Sequence, residues 1–203
     1  MKLYNSVGPN PRVVRMFLHE KGLEVPREEV DIRSGENRQP PYLARNPSGQ
    51  CPALELDDGT VLAEITAICE YIEDTHPQPP LIGTSPLEKA KTRMWTRRID
   101  LNIAEPLANG FRFAEGLKMF QDRIHCIPQA ADDLKLSVQK KLTWLDQQMQ
   151  GRQFVVGDRF SLADILLFCF LDFGTQVKQP LNPENENIIA WYERVKSRPS
   201  AAA

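Results

Sequence analysis

The first third of the chain changes its hydrophobic period several times, and each change marks an element. Lys2-Leu3-Tyr4 is a short apolar run that predicts a strand, and the loop-forming stretch Ser6-Val7-Gly8-Pro9-Asn10-Pro11 follows it. Val13, Val14, Phe17 and Leu18 then recur at three- and four-residue spacing, which predicts a helix over 11–21. Asn10 suits its N-cap and Pro11 its first position, where a missing N–H costs nothing; Gly22 suits the left-handed stop. Val30 and Ile32, two apart, predict a second strand with one buried face. Polar 33–45, which contains proline, reads as loop or irregular helix. Ala53-Leu54-Glu55-Leu56 and Thr60-Val61-Leu62-Ala63 flank Asp58-Gly59 and predict a hairpin; a helix over 66–74 closes the unit. The order β-α-β, β-β-α fits a small mixed sheet covered by helices.

Residues 77–86 hold four prolines and one glycine and read as a linker. Beyond them the pattern is helical throughout, over 87–120, 129–150, 161–174 and 186–197. Residues 162–173 are apolar nearly all round, as expected of a helix buried in a bundle, and Ser161-Leu162-Ala163-Asp164 starts it with a capping-box pattern.

Composition narrows the function classes. A net charge of −2 presents no basic surface for nucleic acid or an anionic membrane, and no apolar run reaches the ~20 residues that a membrane helix needs. The N-terminus has no apolar core of a signal peptide. Cys51, Cys69, Cys126 and Cys169 form neither a C-x-x-C pair nor a zinc spacing, and His19, His76 and His125 make no ligand pair, so no metal is expected. Reduced thiols and a cytoplasmic location are the expectation.

Three loops of the first half carry candidate chemistry. Ser6 to Asn10 precedes a helix N-terminus, where free N–H groups and the helix dipole stabilise a thiolate over a thiol; Ser6 and Asn10 add side-chain donors. Asn10 serves equally as a cap, and Ser6 as a turn residue. Gln50-Cys51-Pro52 enters a strand. With a cis bond, the backbone of Cys51 would face outward and pair with an extended peptide; a plain strand start is the alternative. Glu64-Ile65-Thr66 joins a strand to a helix N-terminus, a place for a carboxylate beside an acid that accepts an ammonium. An acid that only complements the dipole is the alternative there.

In this order and spacing these segments resemble the glutathione S-transferase superfamily over nearly the whole chain. Asn46-Pro47 through Pro52-Ala53-Leu54 is similar to its N-P-x-x-x-[VI]-P-x-L segment, and Leu62 to Ile68 to its L-x-E-S-x-A-I element. Ser161 to Asp164 and the helix around Trp191 resemble elements of its second domain. The resemblance implies a thioredoxin-like α/β domain over 1–76 and an all-α helical-bundle domain over 87–203. It implies a cis Cys51–Pro52 bond, with Cys51 pairing with the cysteinyl part of glutathione. Glu64 and the N–H of Ile65 would hold the γ-glutamyl end, and Gln50 would lie near the glycine end. A homodimer is also implied. The chain departs from the family's pattern by lacking a catalytic Tyr or Cys in the first loop, where it is similar to bacterial and fungal subgroups that rely on backbone N–H groups or on Thr and Asn. Ile65 stands where the family has Ser, and a lost hydrogen bond to a charged group is worth roughly 1.5–3 kcal/mol.

The activity implied is conjugation of the glutathione thiolate to a small hydrophobic electrophile, a detoxification chemistry. Pro106, Asn109, Phe111, Arg112 and Phe113, after a helix break at Glu105-Pro106, are expected to line that second pocket or else to fill core. A glutathione-dependent disulfide or peroxide reductase and a non-enzymatic binding or assembly protein of the same fold are the alternatives.

Overall fold

The computed structural model describes Met1–Ala203. The chain divides into two compact units, Met1–Leu81 with Pro199–Ala203, and Ile82–Arg198.

In the first unit a four-stranded sheet has the order β2-β1-β3-β4, formed by β1 (Lys2–Asn5), β2 (Arg27–Glu29), β3 (Ala53–Glu55) and β4 (Val61–Ala63). β2 runs parallel to β1, and the other neighbours are antiparallel. The Asp58-Gly59 hairpin joins β3 to β4. The sheet carries α1 (Pro9–Glu20) and α3 (Ile65–Thr75), with a 3-10 turn at Glu36–Arg38 and the one-turn α2 (Pro40–Leu43) between β2 and β3. Apolar Val13, Val14, Phe17 and Leu18 of α1 are buried, as their spacing requires.

Three local expectations are corrected. The second strand covers Arg27–Glu29 rather than 30–32, and all three residues are exposed. This is a charged edge strand with no buried face, so no alternation marks it. The N-cap of α1 is Gly8, at φ 106°, and Asn10 lies inside the first turn. At that φ a residue with a Cβ is strained, and Gly is the residue that fits. The last five residues pack on the first unit rather than with the helices. Arg12 donates to the Ala201 carbonyl at 2.7 Å, and Ser200 donates to Glu20.

The second unit is helical: α4 (Pro86–Ile99), α5 (Glu105–Arg112), the one-turn α6 (Leu117–Phe120), α7 (Ala131–Gln148), α8 (Leu162–Gln176) and α9 (Glu186–Lys196). The single helix expected over 87–120 is not one helix. Pro106 has no N–H to return to the preceding turn, and the chain passes from α4 to α5 through a π-turn at Asp100–Ala104. Glu105–Pro106 therefore continues the helical path instead of breaking it. α8 is buried almost all round, and Ser161 caps it, with its N–H and hydroxyl on the Asp164 carboxylate.

α8 ends in a Schellman motif. Gln179 donates to the Gly174 carbonyl, while Lys178 sits in the left-handed region at φ 61°. Lys178→Gly is expected to raise stability by about 0.5–1 kcal/mol, because a side chain with a Cβ is disfavoured there. A denaturant midpoint that does not rise counts against this.

Candidate functional site

The sheet itself assembles the site. Tyr4 pairs with Ala53, and Ala53 with Ala63. Because β3 is antiparallel to both neighbours, the end of β1, the start of β3 and the end of β4 share one end of the sheet. The loops Ser6–Gly8, Gln50–Pro52 and Glu64 therefore leave from that end together.

The first loop is clamped from below. Ser6 is buried and its hydroxyl donates to the Val30 carbonyl at 2.6 Å. Arg15 donates to Asn5 Oδ1 at 2.8 Å and to the Ser6 carbonyl at 3.2 Å, and Asn5 Nδ2 donates to Glu29 at 2.6 Å. The first four N–H positions of α1 include Pro9 and Pro11, so Gly8 and Asn10 supply the available backbone donors. Arg15 and Glu29 escaped the sequence reading, since a polar residue on a polar helix face carries no spacing signal.

The second loop is a built turn. The Cys51–Pro52 bond is cis. Tyr42 Oη donates to the Gln50 carbonyl at 2.6 Å and Asn46 Nδ2 does so at 2.8 Å, which fixes the backbone and leaves the Gln50 side chain exposed. Asn37 donates to the Gly49 carbonyl at 2.6 Å, and a Cβ on Gly49 would meet the Asn37 carbonyl at 3.0 Å. The Cys51 thiol points into the small cluster of Tyr4, Val30, Tyr42 and Ala53, with Sγ 3.2 Å from Tyr42 Oη. The thiol donates to Tyr42 Oη, and burial pushes its pKa up, so it stays protonated. What Cys51 offers a ligand is its backbone.

The third loop is strained. Glu64 is the N-cap of α3 at φ 68°, ψ 123°, a conformation that a residue with a side chain rarely adopts, and its carboxylate does not cap the helix. It is exposed and turned to solvent, while Ile65 and Thr66 are half-buried beside it. No proline interrupts the first turn of α3, so the N–H groups of Ile65, Thr66 and Ala67 remain open; the first intrahelical bond is from Ile68 to the Glu64 carbonyl at 3.0 Å. A carboxylate next to open N–H groups suits a ligand that carries an ammonium and a carboxylate side by side.

Asn109 and Arg112 belong to the second unit and engage each other. Arg112 donates to Asn109 Oδ1 at 2.9 Å, and both residues donate to Glu105 Oε1, at 3.0 Å from Asn109 and 3.3 Å from Arg112. Phe111 meets Phe120 and Phe173 edge-on, at 6.1 and 5.2 Å, and Phe113 is buried. Phe111 thus packs within the helical unit. No group of three or more His, Cys, Asp or Glu is arranged to hold a metal.

Comparison with known proteins places this arrangement. Residues 7–75 match the model of the glutathione S-transferase N-terminal domain, and residues 126–199 that of its C-terminal domain. Glutathione S-transferase 2 of Saccharomyces cerevisiae is 36% identical, over 98% of this chain and 87% of that protein. The crystal structure of Gtt2 from Saccharomyces cerevisiae superimposes with a TM-score of 0.93 at 35% identity, covering 100% of this chain and 99% of that one. FtsZ-localized protein A of Caulobacter vibrioides is 30% identical, over 94% of this chain and 84% of that protein. With both domain models matched and such relatives along its length, the chain belongs to the glutathione S-transferase family.

Proposed function

We propose that this protein binds glutathione at the shared end of the sheet and transfers its thiolate to a small hydrophobic electrophile. The observation that carries the reading is Glu64: a strained, exposed acid at a helix start whose N–H groups are open. Glu64 takes the γ-glutamyl ammonium, and the N–H groups of Ile65 and Thr66 take its carboxylate. The backbone of Cys51, next to cis Pro52, pairs with the cysteinyl residue as an added strand, and Gln50 reaches the glycine end.

The thiol of glutathione, ordinarily near pKa ~8.5, then lies at the start of α1. The N–H groups of Gly8 and Asn10, with the Asn10 side chain, favour the thiolate, and Ser6 holds the loop through Val30. The sulfur lone pair attacks the electrophilic carbon and the leaving group departs with its electron pair. Asn109 and Arg112 are assigned to the electrophile side. The protein works as a cytoplasmic homodimer without a metal, and detoxification is the role that this chemistry serves.

Glu64→Ala is expected to weaken glutathione binding at least about tenfold, the loss of one charged hydrogen bond of ~1.5–3 kcal/mol. Its unfolding midpoint should change little, since the carboxylate makes no cap hydrogen bond and alanine keeps the Cβ. Calorimetric titration checks it, and unchanged affinity would remove Glu64 from the site. The likeness to FtsZ-localized protein A supports a second reading, a non-catalytic assembly role. Turnover of an aryl halide with glutathione separates the two, and turnover of a small mixed disulfide instead would indicate the reductase.

A further inference from the structure

α5 has two unlike faces. Leu107 and Gly110 are buried on one, while Glu105, Asn109 and Arg112, four and three residues apart, share the opposite one. The Arg112 side chain is only 21% exposed. Its guanidinium lies 5.8 Å from the Phe120 ring, which itself rests edge-on against Phe111.

The hydrogen bonds of this guanidinium all leave from Nη1, at 2.9 Å to Asn109 Oδ1 and 3.3 Å to Glu105 Oε1. Asn109 is committed in turn, since its Nδ2 donates to the same Glu105 oxygen at 3.0 Å. Nε and Nη2 meet no protein acceptor, and neither is shut away from solvent. The ion pair with Glu105 is a weak one, because that carboxylate is 58% exposed and screened by water. Glu115, the next acid along the chain, is held by Lys135 at 2.9 Å.

These contacts fix the plane of a half-buried guanidinium and leave one edge of it open. The Nε–Nη2 edge is the fork that takes a carboxylate through two parallel N–H···O bonds. The Phe120 ring beside it offers apolar contact to the body that carries the carboxylate. A cation that merely complemented the dipole at the end of α5 would need its charge and no fixed plane.

We propose that Arg112 is a specificity-determining residue for the electrophile, and that the substrates carry a carboxylate on an apolar body. The inference rests on the transferase reading, which assigns α5 to the electrophile side. The carboxylate meets Nε and Nη2 of Arg112, and Asn109 keeps the guanidinium plane in place. Arg112 takes no part in the bond changes. The glutathione sulfur, its proton already given to water, forms the new bond to carbon, and the leaving group departs with its electron pair.

The probes are 4-chloro-3,5-dinitrobenzoate and its methyl ester, which present the same ring with and without the charge. For each, kcat/KM with glutathione is divided by the rate constant of the uncatalysed reaction, which removes their difference in intrinsic reactivity. The parent is expected to accelerate the benzoate at least about tenfold more than the ester. Arg112→Gln should erase that preference, through KM rather than kcat. Arg112→Lys should restore part of it, since an ammonium keeps the charge and loses the fork. The parent's own preference decides the matter even where a variant does not fold. A parent without it, or a preference that folded Arg112→Gln retains, overturns the inference while the transferase reading stands. Turnover of neither probe, with none of a plain aryl halide, overturns both.

Discussion

Asp164→Ala is expected to lower the stability of the helical unit by about 4–5 kcal/mol, near the upper limit for a single substitution. One carboxylate there serves four donors. Oδ1 accepts from the Val155 N–H and from Trp191 Nε1, each at 2.8 Å. Oδ2 accepts from the Ser161 N–H at 3.0 Å and its hydroxyl at 2.8 Å. All four residues are fully buried, so water does not replace the lost acceptor. The substitution would orphan the cap of α8 and detach the Trp191 side chain of α9 in one step. Trp95, Trp144 and Trp191 all lie in this unit, so tryptophan fluorescence in a urea titration reports on it alone. A midpoint within 1 M of the parent, about 1–3 kcal/mol at the usual urea slope, would show that the four donors find other partners.

The same group predicts a pH dependence. Burial pushes the Asp164 carboxyl up to about 6, against its four hydrogen bonds. A folded pKa above the unfolded one means that the folded state binds more protons in between. Its contribution is therefore fully present below pH ~4 and lost as pH rises through ~6. Glu88 acts the other way: hydrogen bonds from Thr84 and Ser85 lower it to about 2, so its contribution is lost as pH falls below its usual range. Between pH 4.5 and 6.5 the urea midpoint of the helical unit should fall as pH rises. A rising midpoint in that range would contradict the assignment.

Lys21→Ala is expected to cost the first unit about 3–5 kcal/mol, the usual loss when a buried ion pair keeps one partner. Lys21 and Glu73 are 2.5 Å apart, with side chains 0% and 4% exposed. The ammonium also donates to the His76 and Pro79 carbonyls at 2.8 and 2.7 Å, and Glu73 accepts the Leu81 N–H at 3.1 Å. One pair thus ties the end of α1 to α3 and to the segment after it. Lys21→Met/Glu73→Leu should recover only part of the loss, because the His76 and Pro79 carbonyls lose their donor and the buried Leu81 N–H is left without an acceptor. This unit contains no tryptophan, so hydrogen exchange of α1 and α3 amides is the measurement. Full protection of those amides in Lys21→Ala would refute the role.

Spacing and punctuation made much of the architecture legible. The three- and four-residue recurrence in α1, the Asp58-Gly59 turn and α8, apolar nearly all round, each appear in the structure where the pattern puts them. The failures have local causes. β2 is polar on both faces, Gly8 displaced Asn10 as the cap, and Pro106 was absorbed by a π-turn. The chemistry of the site was legible only as residue types: Glu64 near a helix start, Cys51 before a proline.

What the sequence alone determined was the list of elements and their order, because period, turn residues and caps act within a few positions of the chain. What the tertiary structure decided was which of those residues meet. Strand order brought the three loops to one end of the sheet, burial raised the pKa of the Cys51 thiol, the Val30 carbonyl turned Ser6 inward, and the Lys21–Glu73 and Asp164–Trp191 contacts joined residues tens of positions apart. Desolvation and long-range hydrogen bonding depend on the surrounding packing, which no local pattern encodes.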